Sequence, residues 1–71
     1  MIDREIFACN LCRYMEEKSV SIAEIAELTL ARKTQVKHWM SGEVTPRWGN
    51  VVLIADRLGV STADLLRNKD S

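Results

Sequence analysis

The segment of residues 21–42, SIAEIAELTLARKTQVKHWMSG, constrains the fold of this chain most, because it carries the start and end signals of two short helices. Ser21 is followed three residues later by Glu24, the spacing of a capping box, in which each side chain bonds to the other residue's backbone amide at a helix start. Gly42 is suited to ending the second helix, because glycine adopts the left-handed conformation of a C-cap at little cost. The segment therefore predicts two helices joined by a tight turn.

Both predicted helices have an inward apolar face and an outward polar face. Apolar residues at helical spacing, such as Ile25 in the first and Val36 in the second, mark the inward side. The positions left outward on the second helix are hydrogen-bonding and mostly cationic: Lys33, Thr34, Lys37 and His38. A short helix with such a face, presented beyond a compact helical pair, suits the major groove of DNA. We therefore expect these four side chains to contact base edges.

The sequence after this segment continues in a characteristic order. Gly42 is followed by a short loop to Thr45 and Pro46, then by the apolar-periodic stretch VVLIADRLGV and by STADLL. In this order and spacing, residues 21–66 resemble the helix-turn-helix domain of the phage repressor and Cro family. The resemblance implies an all-α, lambda-repressor-like bundle of about five short helices that binds specific double-stranded DNA.

The chain departs from the family's usual pattern at three positions. Leu30 stands where the family commonly has a glycine in the turn, and Arg32 where it has a Ser or Thr cap. A residue other than glycine at positive φ costs about 1 kcal/mol or more, so the sequence predicts a turn of different construction. Ile22 stands where the family often has a glutamine that contacts phosphate, and its side chain cannot form hydrogen bonds.

Phosphate contacts are therefore expected elsewhere. By resemblance to the family, Arg47 and the backbone around Trp48 clamp one DNA strand, and Arg32 contributes from the turn. Gln35 is placed to reach either a base or a phosphate, and free amides at the starts of the second and fourth helices attract anions. For the ring of Trp48 two interpretations stay open: packing on a sugar, or a partly buried position in the core or a dimer contact.

The net charge is zero, but the charges are unevenly distributed. Residues 1–31 contain three basic and six acidic side chains. Residues 32–47 contain Arg32, Lys33, Lys37 and Arg47, with Glu43 as the acidic side chain. A basic patch on a more acidic body is typical of a protein that meets DNA through one face.

Helix signals outside the motif complete the predicted domain, residues 1–66 with the helix-turn-helix at about 21–42. A first helix is predicted over residues 3–18 with Asp3 as its cap. Thr45 is expected to cap the fourth helix with Pro46 in its first position, and Ser61 to cap the last. Residues 67–71 are predicted to be a frayed polar tail.

A second, smaller apolar strip on the first helix comprises Ile2, Ile6 and Cys9. We favour packing of this strip against the C-terminal helix, and the alternative is contact with a partner chain. Cys9 and Cys12 form a C-x-x-C inside this helix, where two thiols and His38 do not provide the four ligands of a zinc site.

Composition and motifs exclude several classes of protein. The chain of 71 residues is 46% hydrophobic and 28% charged, an ordinary globular composition. It has neither an apolar run of about 20 residues, as a membrane span requires, nor a secretory signal segment, so a cytoplasmic location is expected. We expect no metal, no cofactor, no small-molecule ligand and no membrane contact. The absence of a catalytic constellation favours a protein that is not an enzyme.

The sequence thus favours a sequence-specific transcriptional regulator, a Cro-like phage, prophage or bacterial repressor without a separate oligomerisation or sensor domain. One helix-turn-helix buries little surface, so we expect a homodimer, at least on DNA. Its palindromic operator would have half-sites about one helical turn, ~34 Å, apart. Two alternatives remain open: an antitoxin of a toxin–antitoxin operon that also binds a toxin, and a protein-interaction module that has lost DNA binding.

Overall fold

In a computed structural model that describes residues 2–68, the chain forms an all-α bundle. The five helices are α1 (Arg4–Lys18), α2 (Ile22–Thr29), α3 (Lys33–Ser41), α4 (Trp48–Leu58) and α5 (Thr62–Leu66). The described residues contain no strand, which confirms the predicted fold class. None of these helices is long and apolar enough to cross a bilayer.

Side-chain caps fix the starts of three helices where the sequence predicts them. The Asp3 carboxylate accepts hydrogen bonds from the amides of the first turn of α1. Ser21 with Glu24 at α2, and Ser61 with Asp64 at α5, form complete capping boxes. These caps satisfy amides that have no partner within their own helix.

The start of α4 differs from the prediction. Thr45 and Pro46 precede the helix, and Arg47 is its N-cap with extended backbone, φ −64° and ψ 155°. Proline fixes φ but leaves ψ free, so Pro46 is equally suited to the extended segment before a helix. The first helical hydrogen bonds of α4 run from the amides of Asn50 and Val51 to the carbonyl of Arg47.

The turn between α2 and α3 also differs from the prediction, which was a turn of different construction from that of the family. Leu30 adopts the left-handed conformation, φ 57° and ψ 33°, where the family commonly has glycine. Its amide donates to the carbonyl of Glu27, and the amide of Ala31 donates to that of Ala26. The turn is therefore a left-handed cap despite the leucine, whose side chain points into solvent and is 94% exposed.

The core is a single apolar cluster to which all five helices contribute. Its largest fully buried side chains are Phe7, Leu11, Ile25, Val36, Val51, Ile54, Leu58 and Leu65. Each such side chain contributes about 1.5–3 kcal/mol by leaving water. Helix α3 packs against α1 and α2, so its buried side is Val36 and Trp39. The opposite side of α3 is left to solvent.

A buried asparagine ties α1 to the C-terminal end of the fold. The amide Nδ2 of Asn10 donates to the carbonyls of Leu65 and Arg67, both at 2.9 Å. Arg67, placed by the sequence in the frayed tail, is therefore held by the fold, whereas residues 69–71 of that tail lie outside the described residues. Of the second apolar strip, Ile2 precedes α1 and packs against the core, Ile6 is half-buried and Cys9 is exposed.

Candidate nucleic-acid interface

The outer side of α3 carries every base-contact residue expected from the sequence. Lys33, Thr34, Lys37 and His38 are all exposed, as is Gln35. Because residues three and four apart align along a helix, Thr34, Lys37 and His38 form one strip opposite the buried Val36 and Trp39.

Ser41 extends this strip by one turn, and the sequence analysis did not assign it a role. Its spacing, three residues after His38 and four after Lys37, was the available signal. The hydroxyl of Ser41 donates to the carbonyl of His38 at 3.0 Å. Ser41 therefore bonds to the last turn of α3 in this structure.

In the part of the chain that the structure describes, the cations on and around α3 have no protein partner, whereas most other cations contact protein groups. Within residues 2–68, none of Arg32, Lys33, Lys37 and Arg47 forms an ion pair or a side-chain hydrogen bond. The other four arginines each contact protein groups: Arg4, Arg13, Arg57 and Arg67. Unpaired cations gathered on one face offer their full charge to an anionic partner.

The starts of α3 and α4 have the features of anion-binding sites. Their N-caps are Arg32 and Arg47, and neither helix has a side-chain cap. The first amides of a helix without such a cap have no intrahelical acceptor, and the helix dipole favours negative charge at the same end. One of these arginines lies at each start, so its guanidinium group and the free amides of that helix can act together on a phosphate.

The start of α2, where the sequence also predicts anion binding, is occupied by its own capping box. The carboxylate of Glu24 accepts from the Ser21 amide and from Arg57 of α4. The hydrogen bond from Arg57, followed by that from the Ser21 backbone, lowers the pKa of Glu24. A carboxylate held ionised at this position disfavours a second anion there, which is a correction to the prediction for α2.

Trp48, the first residue of α4, is 54% exposed and lies next to Arg47. This exposure rules out the core position that was one interpretation of the residue. Val52, one turn further along α4, is 43% exposed. The ring of Trp48 is thus available for a DNA sugar or for a protein partner.

His38 has a partner that the sequence analysis did not identify. Its Nδ1 lies 2.8 Å from Oε2 of Glu43, which follows the C-cap Gly42. The backbone of Glu43 is held as well, because its amide donates to the His38 carbonyl at 3.1 Å and its carbonyl accepts from Arg4 at 2.9 Å. The sequence signal was an isolated acidic residue in the basic segment 32–47.

Of the two cysteines, Cys12 contacts the backbone of α3 and Cys9 is exposed. Cys12 is half-buried, and its Sγ lies 3.5 Å from the carbonyl of Met40 as a weak donor. Burial, with a smaller contribution from Cys9, raises the pKa of the Cys12 thiol, which therefore stays protonated and little reactive. In the described part of the chain, no three or more His, Cys, Asp or Glu side chains gather as a metal site.

Comparisons with known proteins agree with this geometry. The model of the Cro/C1-type HTH DNA-binding domain family matches residues 10–71. The solution structure of the SOS-response transcriptional repressor LexA from Eubacterium rectale is similar, with a TM-score of 0.85 and 28% sequence identity. The similarity covers 94% of this chain and 71% of that one. No curated protein matches the sequence.

Proposed function

Because the chain belongs to the Cro/C1-type helix-turn-helix DNA-binding family, we propose that it is a sequence-specific transcriptional repressor that inserts α3 into the major groove. The observation that carries this proposal is the cluster of four cations on and around α3 that have no partner within residues 2–68. Their charges face solvent on one side of a bundle whose other arginines are engaged within the protein.

The outer strip of α3 would read the bases. The Lys37 ammonium can donate to O6 and N7 of guanine, and Lys33 is placed to do the same from the first turn. The Thr34 hydroxyl can bond to a base edge, or its methyl can pack against that of thymine. His38 contributes an imidazole nitrogen to the same groove.

The phosphate contacts would flank this strip. Arg32 and Arg47, with the amides at the starts of α3 and α4, would fix the register of the protein on the duplex. Gln35, at the edge of the outer strip, would bond to a phosphate or a base. The ring of Trp48 would pack against a sugar beside Arg47.

A homodimer on a palindromic operator is part of the proposal. One α3 presents few base-reading side chains, and a two-fold pair would double the number of contacts across half-sites about 34 Å apart. The regulator would be of the Cro-like kind, from a phage, a prophage or a bacterium, acting in the cytoplasm. The antitoxin alternative has less support, because Ile2 of its expected docking strip packs against the protein's own core.

Equilibrium binding to duplex DNA between 50 and 200 mM salt tests this function. The proposal predicts a steep linear fall of log affinity with log salt concentration, because bound phosphates release counterions. Arg32→Ala and Arg47→Ala should each reduce that slope by about one per protein chain. A chain that binds no duplex even at 50 mM salt would instead be an interaction module.

A further inference from the structure

We propose that Glu43 is a positioning residue that sets the tautomer of His38 and thereby the base that His38 selects. The inference deepens the function proposed above, since base selection needs α3 in the groove. The sequence pattern of the helix-turn-helix does not imply that His38 and Glu43 contact each other. The contact between them joins the outer strip of α3 to the loop that follows it.

The contact favours one of the two positions of the imidazole proton. Nδ1 of His38 lies 2.8 Å from a carboxylate oxygen of Glu43. An ionised carboxylate can only accept hydrogen bonds, so at this distance the proton is more stable on Nδ1 than on Nε2. In a neutral imidazole the other nitrogen, Nε2, is then an acceptor with no proton of its own.

Glu43 is well anchored for this purpose. Gly42 adopts φ 84° and turns the chain back over the end of α3. The Glu43 amide then bonds to the carbonyl of His38 itself, and its carbonyl accepts from the guanidinium of Arg4 on α1. The carboxylate thus approaches His38 from a backbone tied to both α3 and α1, which limits the imidazole positions compatible with the contact.

A fixed acceptor at Nε2 implies a definite base preference. In the major groove the exocyclic amino groups of adenine, N6, and cytosine, N4, are donors, whereas O6 of guanine and O4 of thymine are acceptors. His38 held by Glu43 would therefore favour adenine or cytosine at the base it meets. One neutral hydrogen bond of this kind corresponds to a preference of roughly two- to tenfold.

The charge of Glu43 makes the proposal separable from a general role in affinity. Its carboxylate is the acidic group in the basic segment 32–47 and would repel nearby phosphates. Removing it should strengthen binding to duplexes of any sequence while it weakens discrimination at one base pair. A residue that merely stabilised the fold would not produce this opposite pair of effects.

The first test uses the free protein and needs no DNA. Two-bond proton–nitrogen NMR correlations of the His38 ring report its tautomer directly, at pH 8.5, above the ordinary titration range of histidine. We expect the Nδ1–H form in the native protein and in Glu17→Ala, a control that removes an exposed carboxylate of α1. In Glu43→Ala the population should shift towards Nε2–H. Equal tautomer populations in the native protein and Glu43→Ala would overturn the proposal.

The second test is selection from a random duplex library at pH 8.5 with Glu43→Ala, His38→Ala and the double variant. The native chain should enrich adenine or cytosine at one base of each half-site. Either single change should reduce that enrichment by the same two- to tenfold, and the double variant should show no further reduction. Retained enrichment in Glu43→Ala would overturn base selection through Glu43. If no variant binds any duplex, the proposed function and base selection both fail, whereas the tautomer result still decides the positioning.

Discussion

Single side chains around α3 divide into those that serve the fold and those left for a partner. Val36 and Trp39 are in the core, and Arg4 and Arg57 bond to Glu43 and Glu24. Lys33 and Lys37 are exposed and have no ionic partner within residues 2–68. At this scale, DNA contact is proposed for exposed cations that form no bond within the described residues, and for His38, whose partner is Glu43.

We expect Lys37→Ala to weaken binding of the selected duplex by about 1–3 kcal/mol, because it removes a donor from the base-reading strip. Lys18→Ala is the matched control, since Lys18 is an exposed lysine at the end of α1, outside the interface. Fluorescence anisotropy at fixed salt measures both affinities. An equal loss for the two variants would show that only general charge matters.

Leu30 carries backbone strain that a glycine would relieve. Its left-handed conformation costs about 1–2 kcal/mol, and glycine's greater freedom in the unfolded chain offsets roughly 0.5–1 kcal/mol of that gain. We therefore expect Leu30→Gly to raise the free energy of unfolding by about 0.5–1 kcal/mol. Urea denaturation measures the change.

Leu30→Ala is the control for this prediction, because it keeps the Cβ responsible for the strain and removes only an exposed side chain. Its free energy of unfolding should stay within about 0.5 kcal/mol of the native value. If Leu30→Gly is no more stable than Leu30→Ala, the turn is not strained as the φ of 57° implies.

At the scale of helices, the residues at each helix start decide whether its first amides are capped or free. The capping boxes at α2 and α5 lie outside the candidate interface. Helices α3 and α4 instead have arginines as N-caps, and neither helix has a side-chain cap. The elements thus separate into helices closed by their own side chains and helices whose free amides remain available to phosphate.

The two capping boxes predict loss of stability in acid. Hydrogen bonds from Arg57 at Glu24, and from the Ser61 backbone at Asp64, lower the pKa of these carboxyls in the folded protein. Their stabilisation is therefore present above their unfolded-state pKa values and is lost as pH falls through the lower, folded-state values. Urea denaturation from pH 7 to pH 2 should show this loss.

Glu24→Gln, which cannot ionise, should make stability less dependent on pH over the same interval. The corresponding control is Glu17→Gln on α1, an exposed carboxyl that caps no helix. A native-like pH profile in Glu24→Gln would show that this capping box does not contribute to acid sensitivity.

Asn10 should be the polar side chain on which the packing of α1 against α5 depends most. Asn10→Ala leaves the carbonyls of Leu65 and Arg67 without their buried donor, and we expect a loss of about 2–4 kcal/mol in the free energy of unfolding. Cys9→Ala, at the exposed neighbouring position, should change it by less than about 0.5 kcal/mol. Comparable losses for the two variants would contradict this role.

For the molecule as a whole, local signals predicted most helix starts, whereas contacts between distant residues and one ambiguous proline account for what was missed. The caps Asp3, Ser21 and Ser61 lie within a few residues of their partners, so their helix starts were predictable. The role of Asn10 was not predicted, because its acceptors lie 55 and 57 positions away in the chain. The start of α4 was wrong because Pro46 suits both a first turn and a buried extended segment.

The candidate site follows the same division. The outward face of α3 could be predicted from helical spacing, and all its residues are exposed as expected. Glu43 was missed because part of what holds it is a long-range contact, the hydrogen bond to its carbonyl from Arg4, 39 positions earlier in the chain. That the exposed residues contact DNA stays a prediction. It concerns the whole molecule, because the charged side chains, the helix starts and the two-fold pair must bind the duplex together.

The most direct test of the central claim is selection from a random duplex library at physiological salt, followed by sequencing of the retained DNA. We predict enrichment of a palindrome whose half-sites are about one helical turn apart, and loss of that enrichment in Lys37→Ala but not in Lys18→Ala. Retention of no duplex, at physiological salt and again at 50 mM, would contradict a sequence-specific DNA-binding function for this chain.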